Sequence, residues 1–236
     1  MISIICCTNR SVNMENIFQN YKRQQSPGKM ELIIVLNRNS LVVGEYKRKA
    51  NQHDDVTIVQ LDEQLTLGEC LNKAVKFAKY DYIAKFDDDD YYGPNYIQEA
   101  LEALKGQNVP LVGKSSIYIF FEGKRELRLY NSGKENTAVS SISERTNFLA
   151  GSTFVMEKEL LSKVPFRHLN VGEDYYFQYD ILNQHYTLYS TSANNYVYCR
   201  SKDKNNHTST VNNSDLYKRS IPIYKGLDCL SYLNIL

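Results

Sequence analysis

Hydrophobic strand patterns and amphipathic helix patterns alternate four times within the first 110 residues, and few folds accommodate that order. Residues 2–7 form a continuous apolar run, as expected of a strand buried on both faces. Met14, Ile17, Phe18 and Tyr21 then recur at i, i+3, i+4 and i+7, one face of a helix that ends before Pro27 and Gly28. Residues 31–36 read as a second strand, 43–52 as a weakly patterned helix and 56–60 as a third strand. Thr66 with Glu69 three residues later is a capping-box pattern, and Leu67, Cys70, Leu71, Ala74, Val75 and Ala78 make the stripe of the helix it starts. Residues 82–86 read as a fourth strand. A helix directly after the acidic residues 87–90 takes Pro94 in its first turn, buries Ile97, Ala100, Leu101 and Leu104, and has Gly106 as its C-cap. This order predicts an α/β fold, a mostly parallel sheet with right-handed crossovers and helices on both faces. Ligands of such sheets sit beyond the carboxyl ends of the strands. Residues 8–10, 37–39 and 87–90 all lie there and should converge.

The second half changes character. Residues 111–112, 115–121 and 126–129 read as strands, with a turn at 122–124. Residues 131–147 are polar and weakly patterned, too long for an ordinary connection, which predicts a functional loop or lid. A strand is expected over 151–156, a helix through Leu160, Leu161 and Val164, a helix opened by Gly172, Glu173 and Asp174, and strands over 186–189 and 196–199. The chain thus divides into residues 1–110, a mixed half over 111–215 that is not expected to fold alone, and a tail over 216–236. The tail mixes Lys218, Arg219 and Lys225 with Leu227, Leu230, Tyr232 and Leu233. Docking on the domain is its expected role; a homodimer contact or a peripheral membrane contact are the alternatives.

Charge narrows the partners. With 28 Lys and Arg against 27 Asp and Glu, the chain lacks the basic footprint of a nucleic-acid binder. No apolar run approaches the roughly 18 residues of a membrane span, so no transmembrane segment is expected. The first residues lack the basic region and cleavage site of a signal peptide. Five cysteines without paired spacing read as reduced thiols. A soluble, cytoplasmic protein is the expectation.

The most unusual local feature is Asp87-Asp88-Asp89-Asp90 at the end of the fourth strand. Adjacent like charges repel, so the run needs either full solvation or a counter-charge. On an extended chain Asp87 and Asp89 share one side, Asp88 and Asp90 the other. A solvated acidic loop is the plain reading. The alternative is a hard cation held by one or two carboxylates together with substrate phosphates.

The order of features resembles the family 2 glycosyltransferases of GT-A fold over roughly residues 1–200. Three features carry the resemblance: the opening strand ending in Thr8-Asn9-Arg10, the DxD-like Asp87 to Asp90, and Gly172-Glu173-Asp174-Tyr175, like the family's Glu-Asp motif at a helix start. The resemblance implies a GT-A type, Rossmann-like sheet whose residues 1–110 bind a nucleotide-diphosphate sugar donor, UDP-linked, with a smaller mixed acceptor-side region. It implies an inverting transfer to a glycan or lipid-linked acceptor, in surface polysaccharide or glycoconjugate assembly at the inner face of the membrane. Mn2+ or Mg2+ would be the cofactor.

By residue, the resemblance implies Asp174 as the general base and Glu173 as the group orienting the acceptor. Thr8, Asn9, Arg10, Asn37, Asn72, Asp87 and Asp88 go to the nucleotide sugar, although alternation turns Asp88 away from Asp87 and Asp89. Asp89 is the expected metal ligand, and His207 a second one brought back from the C-terminal part. Lys85 and Arg200 are lesser candidates for the diphosphate. Several positions depart from the family. Asn37 stands where many members carry an Asp that reads uracil, Cys7 stands for a usual Pro, and Leu71 for a usual basic residue. Acids in a first helical turn are also favoured by the helix dipole alone, which competes with a catalytic reading of Glu173 and Asp174. A sugar nucleotidyltransferase on a similar sheet is the alternative enzyme, and a non-catalytic sugar- or nucleotide-binding protein the alternative outside enzymes. Of the 19 tyrosines, Tyr91, Tyr92, Tyr175 and Tyr176 flank the acidic motifs and could stack on sugar rings or a base.

Overall fold

The computed structural model describes residues 1–141, 148–202 and 212–226. In chain order the strands are β1 (Ile2–Thr8), β2 (Met30–Leu36), β3 (Val56–Gln60), β4 (Tyr82–Phe86), β5 (Tyr91–Tyr92), β6 (Leu111–Gly113), β7 (Ile117–Phe121), β8 (Glu126–Tyr130), β9 (Thr137–Val139), β10 (Val155–Glu157), β11 (Leu188–Ser190), β12 (Tyr196–Arg200) and β13 (Ser220–Lys225). The helices are α1 (Met14–Arg23), α2 (Val43–Ala50), α3 (Leu67–Val75), α4 (Tyr96–Gln107), α5 (Lys158–Lys163), α6 (Glu173–Asn183) and α7 (Asn213–Lys218).

Eight strands form the main sheet in the order β3-β2-β1-β4-β10-β6-β11-β9. The first four are parallel, as the alternating sequence pattern requires. β10 then runs antiparallel to both β4 and β6. Side chains alternate across these strands. Ile4, Ile34 and Ala84 face a core with Ile17 and Phe18 of α1, Tyr46 of α2 and Ile97 of α4. Ile5, Ile33 and Ile83 face a second core with Leu71 of α3, Leu160 of α5 and Phe177 of α6. A five-stranded sheet, β13-β8-β7-β12-β5, stands beside the main one.

Several sequence expectations need correction. The acidic run leads into β5 rather than straight into a helix, and β5 pairs with β12 in the second sheet. Pro94 precedes α4 instead of lying in its first turn. The left-handed residue that ends α4 is Asn108 (φ 52°), while Gly106 is inside the helix. Residues 151–153 form a 3-10 turn ahead of β10. Part of the 131–147 stretch is ordered as β9, the edge strand beside β11; residues 142–147 lie outside the described residues. In the tail, β13 pairs antiparallel with β8. Among the described residues no helix is long and apolar enough to cross a membrane.

One contact ties the fold to the second acidic motif. The Thr66–Glu69 capping box is made in both directions, and the start of α3 also binds the segment leading into α6. Gly68 N donates to Leu169 O at 3.1 Å, and Leu67 N to Asn170 Oδ1 at 2.9 Å. A Cβ at Gly68 would stand 1.9 Å from the Arg167 carbonyl oxygen. Backbone cannot yield as a side chain can, so Gly68→Ala should destabilise the protein by about 1–3 kcal/mol or more, read as a lower urea midpoint.

Candidate active site

The carboxyl ends of β1, β2 and β4 open into a cleft of about 390 Å³. Thr8, Asn9, Arg10 and Asn37 line it together with Lys85, Asp87, Asp88 and Asp89, and Asn170 and Val171 close one side. The three loops that strand order predicted to converge do so.

The acidic run is divided among four environments. Asp87 projects partly into solvent and pairs with Lys85 Nζ at 2.5 Å. Asp88 is buried; it accepts from Thr8 Oγ1 at 2.5 Å and from Arg10 Nε at 3.3 Å, with Arg10 Nη2 closing a second contact. Burial and the neighbouring Asp89 push the Asp88 carboxyl up, and Arg10 and Thr8 oppose that rise. Asp89 lies 3.2 Å from Arg10 Nη2. Burial disfavours the Arg10 charge, but Asp88 and Asp89 outweigh it and hold the guanidinium above its ordinary value. Asp90 is fully inside and faces the second sheet, accepting from Tyr196 Oη at 2.6 Å and Cys199 N at 3.1 Å. Burial, then Asp89 and Asp87, raise it well above its ordinary value.

The backbone of the run is held from α1. Asn16 Nδ2 donates to the carbonyls of Asp88 and Asp90, both at 2.9 Å, and Asn20 Nδ2 to that of Asp90 at 2.8 Å. Tyr92 stacks on Phe86 at 3.7 Å and accepts from Asp87 N at 2.8 Å. These supports escape sequence reading except for one sign: Asn16 and Asn20 stand four apart beside the apolar stripe of α1, where polar side chains need a partner.

Lys85 links the two acidic motifs. Its side chain is buried, and burial works against its charge. Asp87, Glu173 and Asp174 outweigh burial and hold the ammonium above its ordinary value. Gly172, at φ 81°, turns the chain into α6 and sets the two acids in its first turn. Burial pushes the Glu173 carboxyl up to about 7, with Lys85 opposing and Asp174 adding to the rise. Burial also raises Asp174, while Lys85 and the Tyr175 N–H, 2.8 Å from Asp174 Oδ1, draw it down. Gly151 makes room for this carboxylate, since a Cβ there would meet Asp174 Oδ2 at 2.4 Å.

Other expected residues stand elsewhere. Asn72 does not line the cleft. Its amide binds the Phe166 backbone in both directions, Nδ2 to Phe166 O at 2.8 Å and Phe166 N to Oδ1 at 3.0 Å, and so braces the segment before α6. Arg200 is held by Asn213 and Tyr198 near a separate cavity against α7. His207 lies outside the described residues. Asn37 does reach the cleft, with its Nδ2 given to Asp62 O at 2.7 Å.

Among the described residues no three His, Cys, Asp or Glu side chains gather as a metal-binding group. The donor chemistry of the cleft nevertheless suits a cation that brings its own phosphate ligands. Asp87 and Asp89 offer hard oxygens at the cleft surface, and Mg2+ commonly takes only one or two carboxylates besides phosphate oxygens and water.

A mostly parallel sheet with helices on both faces, an acidic run at the end of β4 and an acid pair at the start of a later helix define the GT-A type of fold. The profile described as Glycosyl transferase family 2 matches residues 3–164, and the chain belongs to that family. Among solved structures it is similar to S. aureus TarS 1-349 in complex with UDP-GlcNAc, at 17% identity and a TM-score of 0.71, covering 92% of this chain and 63% of that one. The same TarS fragment in complex with UDP matches at 17% identity and a TM-score of 0.68, covering 85% and 60%. This chain therefore spans about three-fifths of the TarS fragment. No curated protein matches it.

The raised Glu173 has a consequence for stability. Between its ordinary value of 4.5 and about 7, the folded protein binds a proton that the unfolded chain has lost. Stability then falls as pH rises through that window, and the full cost, on the order of 3 kcal/mol at most, applies above it. Glu173→Gln should remove this slope, so that wild type and variant melt alike near pH 4 while the variant melts higher at pH 8.

Proposed function

We propose that this chain is a glycosyltransferase that moves a sugar from a nucleotide-diphosphate sugar, UDP-linked, to a hydroxyl of a glycan or lipid-linked acceptor, with inversion at the anomeric carbon. The observation that carries the reading is the single cleft in which Thr8, Asn9, Arg10, Asn37 and Asp87 to Asp89 come together, with Lys85 joining it to Glu173 and Asp174. Residues 1–110 supply the donor half, 111–215 the acceptor half, and 216–236 a tail. The protein works in the cytoplasm, where nucleotide sugars are supplied.

Asn37 and the Thr8-Asn9-Arg10 loop hold the nucleotide, with Asp87 beside it. Asp88 acts through Arg10, which it orients from below. The acceptor oxygen attacks the anomeric carbon as the bond from that carbon to the diphosphate oxygen breaks. The acceptor proton passes to the Asp174 carboxylate, and Glu173 orients the acceptor hydroxyl. Lys85 limits the rise that burial imposes on Asp174 and so favours the ionised base at neutral pH. Asp89, with Asp87 beside it, would hold Mn2+ or Mg2+, which supplies Lewis-acid stabilisation of the diphosphate charge.

Release of UDP from UDP-sugars, beginning with UDP-GlcNAc, should require Mn2+ or Mg2+. It should fall about 10²–10⁴-fold in Asp174→Asn and become undetectable in Asp89→Ala. Pyrophosphate release from a nucleoside triphosphate and a sugar phosphate, with no UDP release, would instead identify a nucleotidyltransferase.

A second consequence concerns Gly151. Gly151→Ala drives a methyl into the space of the Asp174 carboxylate, and should lower kcat while leaving the melting shift produced by UDP with Mn2+ intact.

A further inference from the structure

The outer face of α6 carries an aromatic patch that the core does not use. Phe177 and Ile181 of this helix point inward, Phe177 stacking on Phe166 at 4.1 Å. Tyr175, Tyr176 and Tyr179 point outward and remain about two-fifths exposed. The Tyr175 ring lies 4.7 Å from Phe148 at 22° and 6.4 Å from Tyr179 at 17°, so three rings are nearly parallel. Tyr176 meets Tyr175 edge-on at 5.1 Å, and its ring is covered by the Arg167 guanidinium at 4.4 Å, itself fixed by two hydrogen bonds to Asp180. Tyr175 and Tyr179 are held nearly parallel, and Tyr176 is braced edge-on beside them, which makes an exposed surface prepared for contact.

Position says what the contact is. The patch begins one residue after Asp174, and the Tyr175 N–H is bonded to the Asp174 carboxylate. Val171, just ahead of α6, is exposed and lines the cleft. The patch thus begins beside the acid pair, a few residues past the cleft-lining Asn170 and Val171, while the loops assigned to the donor occupy the ends of β1, β2 and β4. A second substrate delivering a hydroxyl to Asp174 would meet the Tyr175 side of α6, the next residue after the base. A pyranose presents apolar C–H groups on its face and hydroxyls around its rim. Stacked on a tyrosine it gains dispersion and buries apolar surface while the rim hydroxyls stay in water or reach the phenol oxygens.

We infer that Phe148, Tyr175 and Tyr179 form an acceptor platform that binds pyranose rings, so that the acceptor is an oligosaccharide or a glycan chain presenting sugar rings beyond the reacting hydroxyl. This rests on the glycosyltransferase reading for its role, but the binding itself can be measured without donor. The probes are chitotriose and cellotriose, titrated by saturation-transfer NMR into the full chain without nucleotide. Wild type should bind at least one of them. Tyr175→Ala and Tyr179→Ala should each weaken binding roughly 3- to 10-fold, the worth of one aromatic contact, and Tyr175→Trp should keep or tighten it. The melting shift with UDP and Mn2+ serves as the folding control in every variant. No trisaccharide binding by wild type, or equal affinity in all variants, overturns the inference. So does a wild-type dimer that Tyr175→Ala converts to monomer, which would give the patch to a second copy of the chain. Trisaccharide binding without any UDP response would leave the platform standing and remove the donor reading instead.

Discussion

Four consecutive carboxylates at a strand end repel one another, and the surrounding structure is arranged to separate them. Asp87 is given to Lys85, Asp88 to Thr8 and Arg10, and Asp90 to Tyr196 and the backbone of Cys199. Asp89 shares Arg10 with Asp88. Each assignment comes from a different part of the chain: the end of β4, the loop after β1, and β12 of the second sheet. Dispersing this charge therefore joins the two sheets and fixes the loops of the cleft. Asp90 also shows that not every acid in a DxD-like run is available for a ligand. Its burial makes it a structural acceptor between sheets.

Lys85 does for the two motifs what Arg10 does for the run itself. A buried ammonium is costly unless anions surround it. Here one anion comes from β4 and two from α6, so the acid pair on α6 is tied electrostatically to the acidic run. The path that brings α6 there is mechanical. Gly68 lets the backbone of Arg167 approach α3, Asn72 pins Phe166, and Gly151 leaves space for Asp174. Small side chains at two close approaches, and one amide used twice, thus set the position of the proposed base.

The strand and helix order of residues 1–110 was legible because burial on both faces leaves continuous apolar runs, and helices against the sheet leave a 3.6-residue stripe. The convergence of Thr8, Asn37 and Asp87 at one end of the sheet followed from parallel topology. Failures concentrate where one side chain could serve two purposes. Asn72 sits on the helix whose start faces the cleft, yet its amide satisfies a backbone segment behind it. Alternation of faces separates Asp87 and Asp89 from Asp88 and Asp90, and the structure keeps that division in burial, but the same rule cannot say that Asp88 orients Arg10 while Asp90 spans two sheets. Tyr91 and Tyr92 read as a helix approach because two residues are too short for any periodicity, and only their partners Val197 and Tyr196, more than 100 residues on, make them a strand.

The sequence by itself determined the parallel α/β core, the family, and the acidic run at the end of its fourth strand, because these depend on local periodicity and on residue type. The tertiary structure decided which acids are buried, which are paired and which reach the cleft, and it placed Lys85 among three carboxylates. It also separated the tyrosines of α6, which face outward, from the phenylalanine of the same helix that fills the core. Those outcomes depend on the dielectric surroundings and on partners distant in the chain, and neither is written in the neighbours of a residue.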